Sequence, residues 1–273
     1  LADIVRFAFE NSDIIRGVNF QPVAFTGRIT AEELEKGRFT IPDLVREFNE
    51  QSGWTQDSDW FGVPSVAAVS NFVSQVLNKS KVTFTVHPHC GIATYLYRGD
   101  DGKVTPITRF IDVHKFMSDI TELTKKVEKK KFGFTRKLKA IKAIKIFENC
   151  IIEDQLPDGM TKDDIMSMLK SLFTDDSKAT LAKFSWKMMF IGGMHFQDSY
   201  NYDIGRVSHC GIHYATPDMR VIPFCAYNSG PEYRKEIESK YSVPLAEWKE
   251  KHKQEAKALE EALIVPEDQR PDQ

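Results

Sequence analysis

The first 28 residues constrain the fold more than any other stretch. In LADIVRFAFENSDIIRGVNF, Ile4, Val5, Ala8 and Phe9 recur at helical spacing, and Asn11-Ser12-Asp13 breaks the pattern. Ile14 to Phe20 is apolar and extended, and QPVAFTGR brings Pro, Thr and Gly directly after it. A helix, a buried strand and a polar loop in that order predict a parallel α/β sheet or barrel. Ligands collect at the carboxyl ends of strands in such folds. The pattern is already under way at Leu1, without an initiating Met, so the chain is expected to be the C-terminal portion of a longer one.

Charge and composition narrow the function classes. A formal charge of −2 over 273 residues argues against attraction of nucleic acid by the whole surface. No apolar run approaches the roughly 20 residues that span a bilayer, and the N-terminus lacks the basic-then-apolar layout of a signal peptide. Four cysteines without a secretory signal do not make a disulfide framework. Metal binding, redox chemistry or burial remain as their uses.

Further along, Thr40-Ile41-Pro42-Asp43 reads as a helix start with Thr40 as N-cap, running to about Asn49. A helix is expected over 66–77, then a strand where Val82, Phe84 and Val86 alternate with threonines. Gly99-Asp100-Asp101-Gly102 is a hairpin signal. Residues 114–150 look helical, and between Lys125 and Lys145 there are ten Lys or Arg and one Glu. Phe134, Leu138, Ile141 and Ile144 give that basic helix an apolar stripe. Two more helices are expected over 161–173 and 179–191, and a charged helical tail follows Pro231.

The stretch RVSHCGIHYATPDMRVIPFC, residues 206–225, reads as a tight hairpin. With Pro217 and Asp218 as a two-residue loop, Cys210 falls opposite Cys225. Directly paired residues have Cβ atoms roughly 4.5–5.5 Å apart, close enough for two thiolates to chelate one metal or cluster edge. HCGI also occurs at 89–92, where it supplies Cys90, and each copy leads into a hairpin returning through Val-x-Pro. Five of the seven histidines lie in or near these segments: His87, His89, His195, His209 and His213. The spacing alone leaves a metal site, inert burial and a disulfide open. Cys150, in FENCII, reads as core.

Several segments together, GVNFQPVAFTGRIT, DWFGVPSVAAVSNFV, TVHPHCGIATYLYRGDDGKVTPITRFIDV and MHFQDSYNYDIGRVSHCGIHYATPDMRVIPFCAYN among them, resemble the C-terminal half of a radical SAM family. That family includes archaeal tetraether lipid synthase and a methyltransferase-like homologue acting on a pterin precursor. The resemblance covers roughly residues 1–228. It implies an α/β fold in which residues 1–60 are the late part of a (β/α) radical SAM barrel. Residues 61–230 would be an α+β domain with an auxiliary [4Fe-4S] cluster, and 231–273 a charged helical tail. Cys90, Cys210 and Cys225 would be cluster ligands, and Ser65 stands where relatives tend to carry Cys. The loop after the first strand would face S-adenosyl-L-methionine or substrate with Asn19, Gln21, Thr26 and Arg28. The CxxxCxxC loop of the SAM-cleaving cluster is absent from this chain, so an N-terminal radical SAM half is expected as partner.

The function this implies is a fragment of a radical SAM enzyme forming carbon–carbon bonds in membrane lipid synthesis, inactive alone. The alternatives are a methyltransferase on a pterin or other small molecule, and a non-catalytic module binding anionic lipid or nucleic acid through its basic helix. A cytoplasmic chain is expected, with a lipid or small-molecule substrate, peripheral contact to anionic membrane and no nucleic-acid partner.

Overall fold

A computed structural model describes residues 1–77, 86–129, 136–171, 186–230 and 232–262. Helix α1 (Ala2–Glu10) turns Val5, Ala8 and Phe9 inward, whereas Ile4, on the same sequence stripe, is exposed. Strand β1 (Gly17–Phe20) follows, then helices α2 (Ala31–Gly37) and α3 (Ile41–Ser52). The start of α3 is where Thr40 and Pro42 place it. The Asp43 carboxylate accepts hydrogen bonds from both the N–H and the hydroxyl of Thr40, so one side chain satisfies two donors at the helix end. Gly53 closes the helix in the left-handed conformation.

The short strand β2 (Phe61–Gly62) and helix α4 (Ala67–Leu77) come next. The strand expected over 82–86 lies, Val86 apart, outside the described residues. Strands β3 (Gly91–Arg98) and β4 (Val104–Pro106) form the expected hairpin. Two helices, α5 (Val113–Lys129) and α6 (Arg136–Glu148), occupy the basic segment. The stripe read from the sequence is not its buried face: Ala140 and Ala143 are buried, while Leu138 and Ile141 are exposed. Small residues let α6 approach α4 and α5 closely, which decides the face that packs.

Helix α7 (Lys162–Ser171) precedes β5 (Met188–Met194). A helix was the expectation over 179–191, of which 179–185 lie outside the described residues. The sequence MMFIGGM is instead the central strand. On one side β5 runs parallel to β1, with Gly17 opposite Phe190 and Phe20 opposite Gly193. On the other it runs antiparallel to β3, with Gly91 opposite Met194 and Tyr97 opposite Met188. Strands β2 and β4 both pair with the far edge of β3.

The result is an open, mixed, five-stranded sheet in the order β1-β5-β3-β2, with β4 beside β2 on β3. This corrects the expected partial (β/α) barrel with a separate auxiliary-cluster domain. An antiparallel β3 next to β5 interrupts the all-parallel pairing that barrel closure requires. One sheet joins β1, from the first 60 residues, to strands from the later ones.

Apolar side chains on one sheet face, Leu96, Met189 and Ile191, meet Val5, Ala8 and Phe9 of α1 and Val45 and Phe48 of α3. Phe48 is the hub of an aromatic set, with its ring 5.5 Å from that of Trp60 and 6.2 Å from that of Trp54. Beyond the sheet, Tyr97, Phe110, Ile111, Met160 and Ile165 enclose Cys150, whose thiol bonds to the Ile146 carbonyl.

A second hairpin follows, β6 (His213–Ala215) and β7 (Val221–Pro223), flanked by the short helices α8 (Ile204–Ser208) and α9 (Phe224–Ser229). Helices α10 (Tyr233–Tyr241), α11 (Leu245–Lys251) and α12 (Lys253–Ala262) form the tail. No described helix is long and apolar enough to cross a membrane.

Candidate functional site

Because β1 and β5 are parallel neighbours, their carboxyl ends lie together and both release loops on the same side. Residues 21–30 leave β1, and residues 195–203 leave β5. Their junction is built around Asp198, which is 1% exposed. Arg38 donates two hydrogen bonds to its carboxylate, Nη1 to Oδ2 at 2.7 Å and Nη2 to Oδ1 at 3.1 Å. The amides of Phe25 and Tyr200 donate to the same carboxylate at 2.8 and 2.9 Å. Burial alone would raise the Asp198 pKa, but Arg38 and these two amides hold it below the usual carboxylate range.

The Arg38 guanidinium also lies over the Phe25 ring, 4.8 Å from its centre. Tyr200 supplies a second clamp: its hydroxyl donates to the Gly27 carbonyl and accepts from the Ile29 amide, each at 3.0 Å. The two loops are thus joined mainly through the backbone of residues 25–29. Gln21, Thr26 and Arg28, expected to carry the site's chemistry, are exposed and point no described hydrogen bond into the junction. Asn19, at an exposed position of β1, sits against Gly192, where a Cβ would come within 2.6 Å of its Oδ1.

The floor of the junction is held by Arg206, a buried residue of α8. Its Nη2 donates to the His195 carbonyl at 2.6 Å, and its Nε approaches the Cys90 sulfur at 3.5 Å. The His195 amide donates to the Cys90 carbonyl at 3.0 Å. Asp203 caps α8 by accepting from the amides of Gly205 and Arg206, and those bonds keep its pKa low. Gln197 is buried as well. Its amide faces the Cys225 sulfur at 3.4 Å, and its side-chain oxygen accepts from the Asp203 amide at 2.6 Å.

The three expected metal ligands therefore border one region: Cys90 and Cys225 through residues 195–206, and Cys210 just after α8. Cys225 feels both other sulfurs, although burial is the main cause of its raised pKa. They do not form the cross-strand pair read from the sequence. His213 faces Pro223, one residue off the expected register, because the loop holds three residues, Pro217 to Met219. Cys225 then lies in α9, past the strand. Cys210 donates its thiol to the Ile212 carbonyl at 3.0 Å.

Among the described residues no three His, Cys, Asp or Glu side chains are grouped to hold a metal ion. The residues present do not fit a [4Fe-4S] centre, and that expectation is corrected. Ser65 lies in the turn Val63–Val66, packed against the turn Pro88–Cys90. The rings of His87 and His89 stand 4.7 Å apart, with His209 6.3 Å from His87.

Sequence reasoning did not single out Arg38, Gln197, Asp198, Tyr200 or Arg206 for a role. The available signal was HFQDSY, five polar or ionisable residues in six directly after the apolar MMFIGGM.

No protein-family model matches the chain. A curated protein does. The chain is similar to the 7,8-dihydro-6-hydroxymethylpterin dimethyltransferase of Methanocaldococcus jannaschii. Identity is 44% over 251 residues, which is 92% of this chain and 49% of the relative. The chain thus spans about half the length of the curated relative it matches. This similarity, with the missing ligand set, corrects the reading as a carbon–carbon bond-forming radical SAM enzyme of lipid synthesis. The lipid substrate falls with it, because the relative acts on a pterin.

Proposed function

We propose that this chain belongs to an enzyme that methylates a pterin, with S-adenosyl-L-methionine as methyl donor, and that it contributes to recognition of the pterin ring. The similarity along nearly the whole chain to a pterin dimethyltransferase carries this reading. The junction of the β1 and β5 loops is the region best suited to the ring. It sits at the carboxyl ends of two parallel strands, where open α/β sheets collect ligands. It combines buried polar groups, His195, Gln197, Asp198 and Arg206, with the aromatic Phe25. A small heterocycle needs that mixture: apolar faces to stack on and a few fixed polar atoms for orientation.

In this reading the Arg38–Asp198 pair positions the loop at 21–30 and does not itself contact the ring. Its charges are spent on each other and on two backbone amides. Asn19, Gln21, Thr26 and Arg28 are the outward groups available to a ligand at the rim. The test is incubation of the chain with 7,8-dihydro-6-hydroxymethylpterin and S-adenosyl-L-methionine, followed by mass spectrometry of the pterin and a fluorescence titration without the donor. Saturable pterin binding supports the reading, and methyl increments on the pterin would complete it. Absence of any binding contradicts it.

A further inference from the structure

His195 carries a buried polar atom that the described residues leave unsatisfied. The residue is 6% exposed, and its Nε2 is closed to solvent with no hydrogen-bond partner. The Val23 backbone lies beside the ring and favours a proton on it. The backbone on both sides is pinned, the amide to Cys90 and the carbonyl by Arg206. Buried polar atoms in native proteins are nearly always paired; among the described residues Thr94 Oγ1 is the other unpartnered one, and it lies on β3 away from the loops.

We propose that His195 Nε2 is the acceptor for an N–H or O–H donor of the bound substrate, which makes His195 a substrate-recognition residue. This rests on the pterin reading and names the atom that reads the ring. A neutral imidazole carries one proton, and with that proton on Nδ1 it presents a lone pair at Nε2. Burial, Arg206 and Arg38 all work against a second proton. Carboxylates and phosphates bring only acceptors and are refused. A pterin brings donors on its amino group, its ring nitrogens and, in the 6-hydroxymethyl compound, a hydroxyl. Since Nε2 is closed off, a neighbour must shift for a ligand to arrive. The segment touching the ring is the β1 loop at Val23, whose side chains are largely exposed.

The experiment is a fluorescence titration of the wild-type chain, His195→Gln and His195→Phe with two probes, 7,8-dihydro-6-hydroxymethylpterin and its 6-methyl counterpart. Thermal melts establish that each variant is folded. His195→Phe should weaken binding about tenfold, the scale of one lost hydrogen bond. His195→Gln, which can offer an amide oxygen, should stay within about threefold of wild type. A loss on both probes assigns the donor to the ring, and a loss on the hydroxymethyl compound alone assigns it to the hydroxyl. Equal affinity of all three proteins would overturn the proposal, leaving Nε2 as the site of an ordered water. If the wild-type chain binds neither probe, the pterin reading itself fails, a result distinct from equal affinities.

Discussion

Arg38 grips the Asp198 carboxylate through two hydrogen bonds although the residues are 160 positions apart. The pair links the segment between α2 and α3 to the loop after β5. Removing one partner of a buried ion pair strands the other charge, at a cost of about 3–5 kcal/mol when burial is complete. The Arg38 side chain keeps 20% exposure, so the lower end applies. Arg38→Ala should destabilise the chain by about 3 kcal/mol, read from urea unfolding midpoints.

Acid should act on the same pair. Asp198 has a depressed native pKa, so its contribution is fully present above the unfolded carboxylate value near 4 and is lost as pH falls through the native one. Asp198→Asn should flatten that part of the stability curve. An unchanged slope below pH 4 would show that Asp198 is not held ionised by its partners.

Phe48 is completely buried at the centre of the α1–α3–sheet core. Its truncation to Ala leaves a ring-sized cavity among Phe9, Trp54, Trp60 and Ile191. The expected loss is about 3–5 kcal/mol, measured by urea denaturation. A loss under about 1 kcal/mol would contradict the packing described.

The two hairpins share one turn geometry but not its chemistry. In the first, the Gly99 amide bonds to the Lys103 carbonyl, the Gly102 amide to that of Gly99, and Gly102 has φ 80°. In the second, Thr216 bonds to Arg220, Met219 to Thr216, and Met219 takes φ 65°. Left-handed backbone costs an L-residue about 1–2 kcal/mol, and Met219 is 92% exposed, so its side chain offers little in return. Met219→Gly should stabilise the hairpin by about 1 kcal/mol and raise the melting temperature by about 2–4 °C.

Burial raises the thiol pKa of both Cys150 and Cys225, while Cys90 and Cys210 are partly exposed. Iodoacetamide at neutral pH should label Cys90 and Cys210 well before Cys150 and Cys225. Peptide mass mapping over time reads the order.

Elements marked by local chemistry were legible in the sequence. Thr40, Pro42 and Asp43 announce α3, and Gly-Asp-Asp-Gly announces the first hairpin. Strand β5 was not, because seven apolar or glycine residues in a row carry no period, and methionine favours helices. The cysteine hairpin misled by one residue because its left-handed position holds Met219, which carries no turn signal. The β1 loop was singled out through the side chains of Asn19, Gln21, Thr26 and Arg28, but its contacts run through backbone amides and carbonyls that side-chain reasoning cannot see. The Arg38–Asp198 link joins distant residues and shows only once the two strands are placed side by side.

The most direct measurement is a crystal structure of the chain grown with 7,8-dihydro-6-hydroxymethylpterin. The account predicts the bicyclic ring between segments 21–30 and 195–203, with a donor atom within hydrogen-bond distance of His195 Nε2. A ring bound elsewhere on the chain, with that junction still closed, would contradict it.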